Sequence, residues 1–393
     1  MAVSTMNKNE ITHQNGRIET VSTPYFRREA FIPTATVQCH ASNLLLLPNG
    51  DLLCAWFGGT MEGKPDISIY MSRLNTSEEI WSPAKRMTND NTRSEQNPLL
   101  FHSPSGDIWL LYTSQRAGNQ DSAIIKHRIS HDGGSTWGEE KALFLDQGTF
   151  IRQPIRVLDD GSWVLPIFKC RVEPGQRWLG SDDISCVRVS KDQGQTWNEV
   201  NVPDSTGCVH MGIQKLKSGK YLAMSRSRWA DNVYSSISND GLSWSSPQPT
   251  ALPNPNSGIC FDVLPSGVII LVYNHSSKEN ATGRREGLYD DIGDENDDRT
   301  DQRTSHGKEA FWGAPRAPLC IAWSDDEGVT WKTKVLEDGD GFCMTNNSEK
   351  KLNRELSYPS MVLGNDGTLH IAFTFWRQCI KYVQIKKDFM ECA

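Results

Sequence analysis

Ser130-His131-Asp132-Gly133-Gly134-Ser135-Thr136-Trp137 decides the fold, because it recurs. Ser190-Lys191-Asp192-Gln193-Gly194-Gln195-Thr196-Trp197 has the same form, as does Ser324-Asp325-Asp326-Glu327-Gly328-Val329-Thr330-Trp331. Ser238-Asn239-Asp240-Gly241-Leu242-Ser243-Trp244 is a copy one residue shorter, and a weaker relic runs from Ser72 to Trp81. Asp and Gly shape a tight hairpin turn, the Asp side chain satisfies local backbone donors, and the Trp packs on the neighbouring sheet. Asp132, Asp192 and Asp326 are therefore assigned to structure.

A second pattern runs alongside: an apolar strand, a turn ending in Gly, and another apolar strand. Its turn glycines are Gly50, Gly106, Gly161, Gly219, Gly267 and Gly367. The first five are 56, 55, 58 and 48 residues apart, and the last pair 100 apart. One such hairpin plus one Asp-containing hairpin makes four strands, the size of one propeller blade. The chain is expected to be all-β, a six-bladed β-propeller of four-stranded antiparallel blades. Residues 1–16 read as a polar tail and 17–393 as one propeller. The sixth blade lacks its outer strand, which residues 17–26 are expected to supply, closing the ring and removing a free edge. The excess length falls in 276–313, rich in Asp, Glu, Arg and Gly, including Asp290, Asp291, Asp294, Asp297 and Asp298. It reads as a solvated surface loop or as a lid.

A formal charge of −7 without a basic stripe argues against a nucleic-acid partner. The start of the chain has no apolar segment of the signal-peptide kind, and the longest apolar stretch, Val268 to Tyr273, is strand-sized. A cytoplasmic protein without a membrane partner is expected. Ten cysteines show no C-x-x-C pair and no metal-ligand spacing, so they read as reduced thiols; no metal and no cofactor is expected.

The innermost strands of a propeller run the same way along one axis, so their starting residues converge on one face. That face gathers Cys39, His40 and Asn43, then Gln96 and Asn97, then Arg152 and Gln153. His210, Asn256, Ser257, Arg354, Glu355 and Tyr358 complete it. A polar, basic, titratable ring of this kind suits a small-molecule ligand better than a bare scaffold.

With these repeats, the chain resembles the sialidase superfamily from about Phe31 to Ile385, and its Ser-x-Asp-x-Gly-x-Thr-Trp turns resemble the Asp-boxes of that superfamily. The resemblance implies three arginines on a substrate carboxylate, a tyrosine nucleophile activated by a glutamate, and an aspartate acid/base. Matched by motif, Tyr358 in Leu-Ser-Tyr-Pro-Ser takes the tyrosine's place. Arg316 and Arg226 take those of two arginines, and Asp66 in Pro-Asp-Ile-Ser-Ile that of the acid. His40 stands where the first arginine belongs, and His210 where the activating glutamate belongs. Histidine does not replace a bidentate arginine, and a free phenol with a pKa of about 10 is a weak nucleophile.

The leading expectation is an enzyme acting on a carboxylate-bearing sugar, of exo-glycosidase or uronate lyase type. Arg226 and Arg316, with Arg152 or Arg354 and with Asn97, would hold the ligand. Tyr358, Asp66, Glu355, His210 and His40 would carry the chemistry. A second expectation is a non-hydrolytic enzyme of secondary metabolism, such as a hetero-Diels–Alderase or other pericyclase acting on a polyketide-derived ligand held by His and Arg donors. A third is a binding propeller without catalysis.

Overall fold

The computed structural model describes residues 14–390, apart from 23–24, 76, 286, 289–298, 303, 305 and 340–354. The described residues form six antiparallel blades. Blade one contains Gln38–Leu46, Leu52–Gly59 and Ser68–Asn75, with an outer edge split between Ile80–Trp81 and Lys85–Arg86. Blade two contains Ser94–His102, Ile108–Arg116, Asn119–Ser130 and Lys141–Phe144. In blade three the inner edge is shared by Thr149–Ile151 and Arg156–Val157, followed by Trp163–Lys169, Ile184–Ser190 and Asn198–Asn201. Blades four and five run from Cys208–Lys215 to Gln248–Pro253 and from Cys260–Val263 to Lys332–Glu337. Blade six has Leu356–Leu363 innermost, then Thr368–Phe375 and Cys379–Lys386.

Closure differs in place from the expectation. Arg27–Ile32, not 17–26, pairs with Cys379–Lys386, and Glu19–Val21 lies outside it as a fifth strand. Residues before Glu19 then reach blade one: Gly16 accepts from the Trp81 amide at 2.9 Å, and Arg17 bridges to Ile80. The outward shift follows from burial. Arg27–Ile32 alternates into the core with Ala30 and Ile32, whereas Glu19–Val21 has no buried residue.

The recurring turns are built as their composition dictates. Ser130 Oγ donates to Asp132 at 2.8 Å and accepts from the Gly134 amide at 2.9 Å. Asp132 accepts from the Thr136 amide at 2.8 Å and its hydroxyl at 2.6 Å, and Trp137 Nε1 donates to Gly134 O at 3.2 Å. The turns at 190–197, 238–244 and 324–331 repeat the Ser–Asp–Gly bonding. Gly194 has φ +88°, and a Cβ there would sit 3.0 Å from Trp109 and 3.1 Å from Trp163, so any side chain would be strained and crowded. Aromatic pairs then join blades: Trp163 of blade three meets Phe101 and Trp109 of blade two at 4.9 and 5.6 Å between centroids.

The described part of the insertion is docked. Thr300–Asp301 pairs in parallel with Gln176–Arg177, Gln302 donates to Arg171 O at 2.8 Å, and His306 lies 3.0 Å from Asp182. Buried Trp312 donates to Leu179 O. The five aspartates noted from the sequence lie outside the described residues. All eight described cysteines are free thiols. Among the described residues no helix is long and apolar enough to cross a membrane.

Two outcomes follow. Trp163→Ala should cost about 3–5 kcal/mol, read as a lowered denaturation midpoint; an unchanged midpoint would contradict the interblade role. Hydroxyls of Thr136, Thr196 and Thr330 hold Asp132, Asp192 and Asp326 down at about 2, and the Ser243 amide does so for Asp240. A carboxyl lower in the folded state stabilises fully above its unfolded value of about 4 and loses that contribution as pH falls towards 2. Thermal midpoints should drop through that window, and less steeply in Asp192→Asn.

Candidate active site

The inner strands of blades one, two, four and six each carry a bulge near their start, at His40/Asn43, Gln96/Leu99, Val209/Gly212 and Ser357/Ser360. Ala41, Asn97, His210 and Tyr358 occupy these bulges with φ of 60°, 48°, 57° and 52°. Asn256, just before the inner strand of blade five, has φ 56°. A left-handed conformation at a non-glycine residue is unfavourable by about 1–2 kcal/mol. Five such residues around one axis mark a built site, since a bulge re-aims the side chain it carries.

Tyr358 stands at its centre. Its hydroxyl is hydrogen-bonded by the Arg226 guanidinium. The guanidinium carbons of Arg152, Arg316 and Arg226 lie 5.2, 5.5 and 5.6 Å from its ring centroid. The His40 and His210 rings lie 4.2 and 5.6 Å away. Burial would raise the phenol pKa, but Arg226 and Arg316 outweigh it, and the net shift is downward from 10.0.

The surrounding groups hold one another. Asn256 Oδ1 accepts from Arg226 Nε at 2.7 Å, and its carbonyl accepts from Arg316 at 3.3 Å. Glu355, wholly buried, accepts from Arg316 at 2.8 Å and Ser357 at 2.7 Å and lies 3.0 Å from Arg377 Nε. Burial would raise this carboxyl; Arg377 and Arg316 win and keep it well below its usual value. Arg377 also pairs with Glu62. His40 Nδ1 meets Thr374 Oγ1 at 2.8 Å and lies 3.8 Å from Glu355, while its buried Nε2 has no partner. His210 Nδ1 lies 3.5 Å from Arg226, an obligate donor, so Nδ1 accepts and the proton sits on Nε2. Burial, helped by neighbouring arginines, drives both histidines well below 6.5, and they are neutral at pH 7. Burial lowers Arg226 to about 9 and Arg152 to about 10, so both remain cationic. Four arginines face two glutamates, an excess of positive charge at a buried face.

Of the residues expected from sequence, Tyr358, Arg226, Arg316, Glu355, His40 and His210 are brought together, and Asn97 occupies the equivalent bulge of blade two. Glu355 does not reach the phenol hydroxyl, whose bond is to Arg226. Arg152 departs from its expected clamp role: its Nη2 donates to the carbonyls of Ser42, Tyr358 and Pro359 at 3.0, 3.0 and 3.3 Å, anchoring backbone. Asp66 is exposed, and its carboxylate accepts from the Thr60 amide at 2.9 Å. The carboxylate of that loop which does engage the cluster is Glu62. Arg354 lies outside the described residues. Arg228, two residues beyond Arg226, is scaffold: it pairs with buried Asp183 at 2.7 Å among Trp178, Trp312 and Phe168.

Sequence reasoning missed Glu62 and Arg377 because it read only where inner strands start. The second strand of each blade runs back antiparallel and ends on the same face, so Val209 opposes Arg226 and Leu356 opposes Phe375. Reading the ends of second strands would have found Arg377 and the loop carrying Glu62.

A profile of the BNR repeat-like domain matches residues 50–371. The chain belongs to that family. This BNR repeat-like propeller is similar in fold to a Hadza microbial sialidase, at TM-score 0.68 and 14% identity over 92% of this chain and 69% of that one. A Dyadobacter fermentans protein of unknown function gives 0.64 and 13% over 93% and 98%. A leech intramolecular trans-sialidase complexed with 2,7-anhydro-Neu5Ac gives 0.62 and 11% over 90% and 68%. At such identities the likeness is one of fold, and the propeller is sialidase-like in that sense. No curated protein sequence matches the chain.

The site's electrostatics are measurable. Ultraviolet titration, differenced against Tyr358→Phe, should show a phenol ionising below 10.0. Arg226→Met should move it upward, because burial then acts with less opposition. No change on losing Arg226 would refute the assignment. Asp183→Ala should destabilise the fold by about 3–5 kcal/mol by leaving Arg228 buried without its counter-charge.

Proposed function

We propose that the face around Tyr358 acts on a carboxylate-bearing sugar, and that elimination fits it better than hydrolysis. The observation that carries this is the Tyr358 hydroxyl bonded to Arg226 inside a buried excess of arginines, with neutral histidines on either side. A uronate carboxylate between Arg226 and Arg316 would have its charge neutralised, which acidifies the adjacent C–H. The neutral imidazole of His40, whose Nε2 is free of partners, takes that proton. The C–H electron pair forms the ring double bond, the C–O bond to the neighbouring sugar breaks, and Tyr358 gives its proton to the departing oxygen. A tyrosine nucleophile would need a base at its hydroxyl, and the nearby carboxylate of Glu355 is spent on Arg316, Arg377 and Ser357.

One observation favours a second reading. The site offers fixed donors and no carboxylate on the phenol, which also suits orienting and polarising a ligand for a pericyclic ring closure without proton transfer.

A screen of polyuronides, uronide-ended oligosaccharides and sialosides, followed by the ultraviolet absorbance of unsaturated product and by sugar release, tests the first reading. Tyr358→Phe should lower kcat about 10²–10⁴-fold. The acid limb of kcat/KM should fall below pH 6.5, because the base has a depressed pKa. Silence on every sialoside and uronide sinks the proposal. Ring closure that survives Tyr358→Phe would favour the second reading.

A further inference from the structure

We propose that the half of the central channel beyond the bulges is a second binding site, for a small organic monocarboxylate with an apolar body, ending on Arg152. This half is a cavity of about 350 Å³ lined by the inner strands of all six blades. Its wall residues lie downstream of the bulges: Leu44 after Ala41, Leu100 after Asn97, Ile213 after His210, Phe261 after Asn256 and Met361 after Tyr358. Tyr358 itself does not line it, so it is a compartment separate from the phenol's hydroxyl face. The volume falls within the ordinary range for small-ligand pockets of about 300–1,000 Å³.

The chemistry comes from Arg152. It is 3% exposed and lines this cavity. Its Nη2 serves three backbone carbonyls, but Nε and Nη1 have no partner. No carboxylate among the described residues forms an ion pair with it. The other three arginines of the axis each have a carboxylate or phenol partner. A buried cation with unspent donors and no counter-charge calls for an anion. The walls call for an apolar body. Asp262, also on the lining, disfavours a multiply charged guest such as a phosphate, and Arg156 beside it leaves a single carboxylate tolerated.

Calorimetric titration of the full chain with octanoate, and with octan-1-ol as the neutral equivalent, tests this. Octanoate should bind about tenfold or more tighter than the alcohol, given a charge-assisted contact. Arg152→Met and Met361→Trp should each weaken octanoate about tenfold or more, while Arg226→Met leaves it within about threefold. Gln214→Trp, at a half-buried wall position, repeats the blocking test should Met361→Trp lower the unfolding midpoint. No octanoate binding, equal binding of the alcohol, insensitivity to the blocking variants, or loss in Arg226→Met would each overturn the proposal. Loss in Arg226→Met would place the anion on the Tyr358 face instead, so the outcome is separable from that of the catalytic reading.

Discussion

The ladder between Arg27–Ile32 and Cys379–Lys386 is the constraint on which the rest of this molecule depends. It joins the two ends of the chain into one sheet, so the ring closes and blade six is left without a bare edge at that position. Closure makes the inner strands share an axis. Side chains from residues as far apart as His40 and Tyr358 then meet at 4.2 Å between ring centroids. Burial orders the closing strand, and Ala30 and Ile32 face the core beneath it.

What gathers on that axis is electrostatically costly. Arginines brought out of water repel one another and lose solvation. The fold offsets this with Glu355 and Glu62, with the carbonyl and side chain of Asn256, with backbone carbonyls on Arg152, and with the face and hydroxyl of Tyr358. Desolvation drives His40 and His210 to their neutral forms, while the charges of Arg226 and Arg316 overcome it at Tyr358 and pull the phenol down. Burial and the arginine charges together thus yield a depressed acid and neutral bases in contact, the combination suited to moving protons near a bound carboxylate.

The bulges connect these two levels. Without the register shifts at His40/Asn43, Val209/Gly212 and Ser357/Ser360, alternation along the strands would send neighbouring side chains to opposite faces. The left-handed residues at His210 and Tyr358 direct them to the axis, and the ladder beyond resumes its pleat with Ile213 and Met361 lining the other compartment. Backbone strain on one turn of chain therefore divides the channel into two chemically distinct halves.

The sequence by itself determined the architecture. Its turns are local: Ser130, Asp132, Gly134 and Thr136 bond with one another within seven residues of chain, and such bonding is legible from spacing alone. Strand direction, which follows from hairpin count, also placed Tyr358, His40, His210 and Glu355 at one face, and the resemblance to sialidases added Arg226 and Arg316. Only the tertiary structure decided which of these touch. Arg226 rather than Glu355 holds the phenol, Glu62 rather than Asp66 joins the cluster through Arg377, and Arg152 anchors backbone behind Tyr358. Those pairings depend on where the second strands end, on single-residue bulges, and on which charge neutralises which when all are desolvated together. Each is a non-local property, set by blades that meet only when the ring is closed.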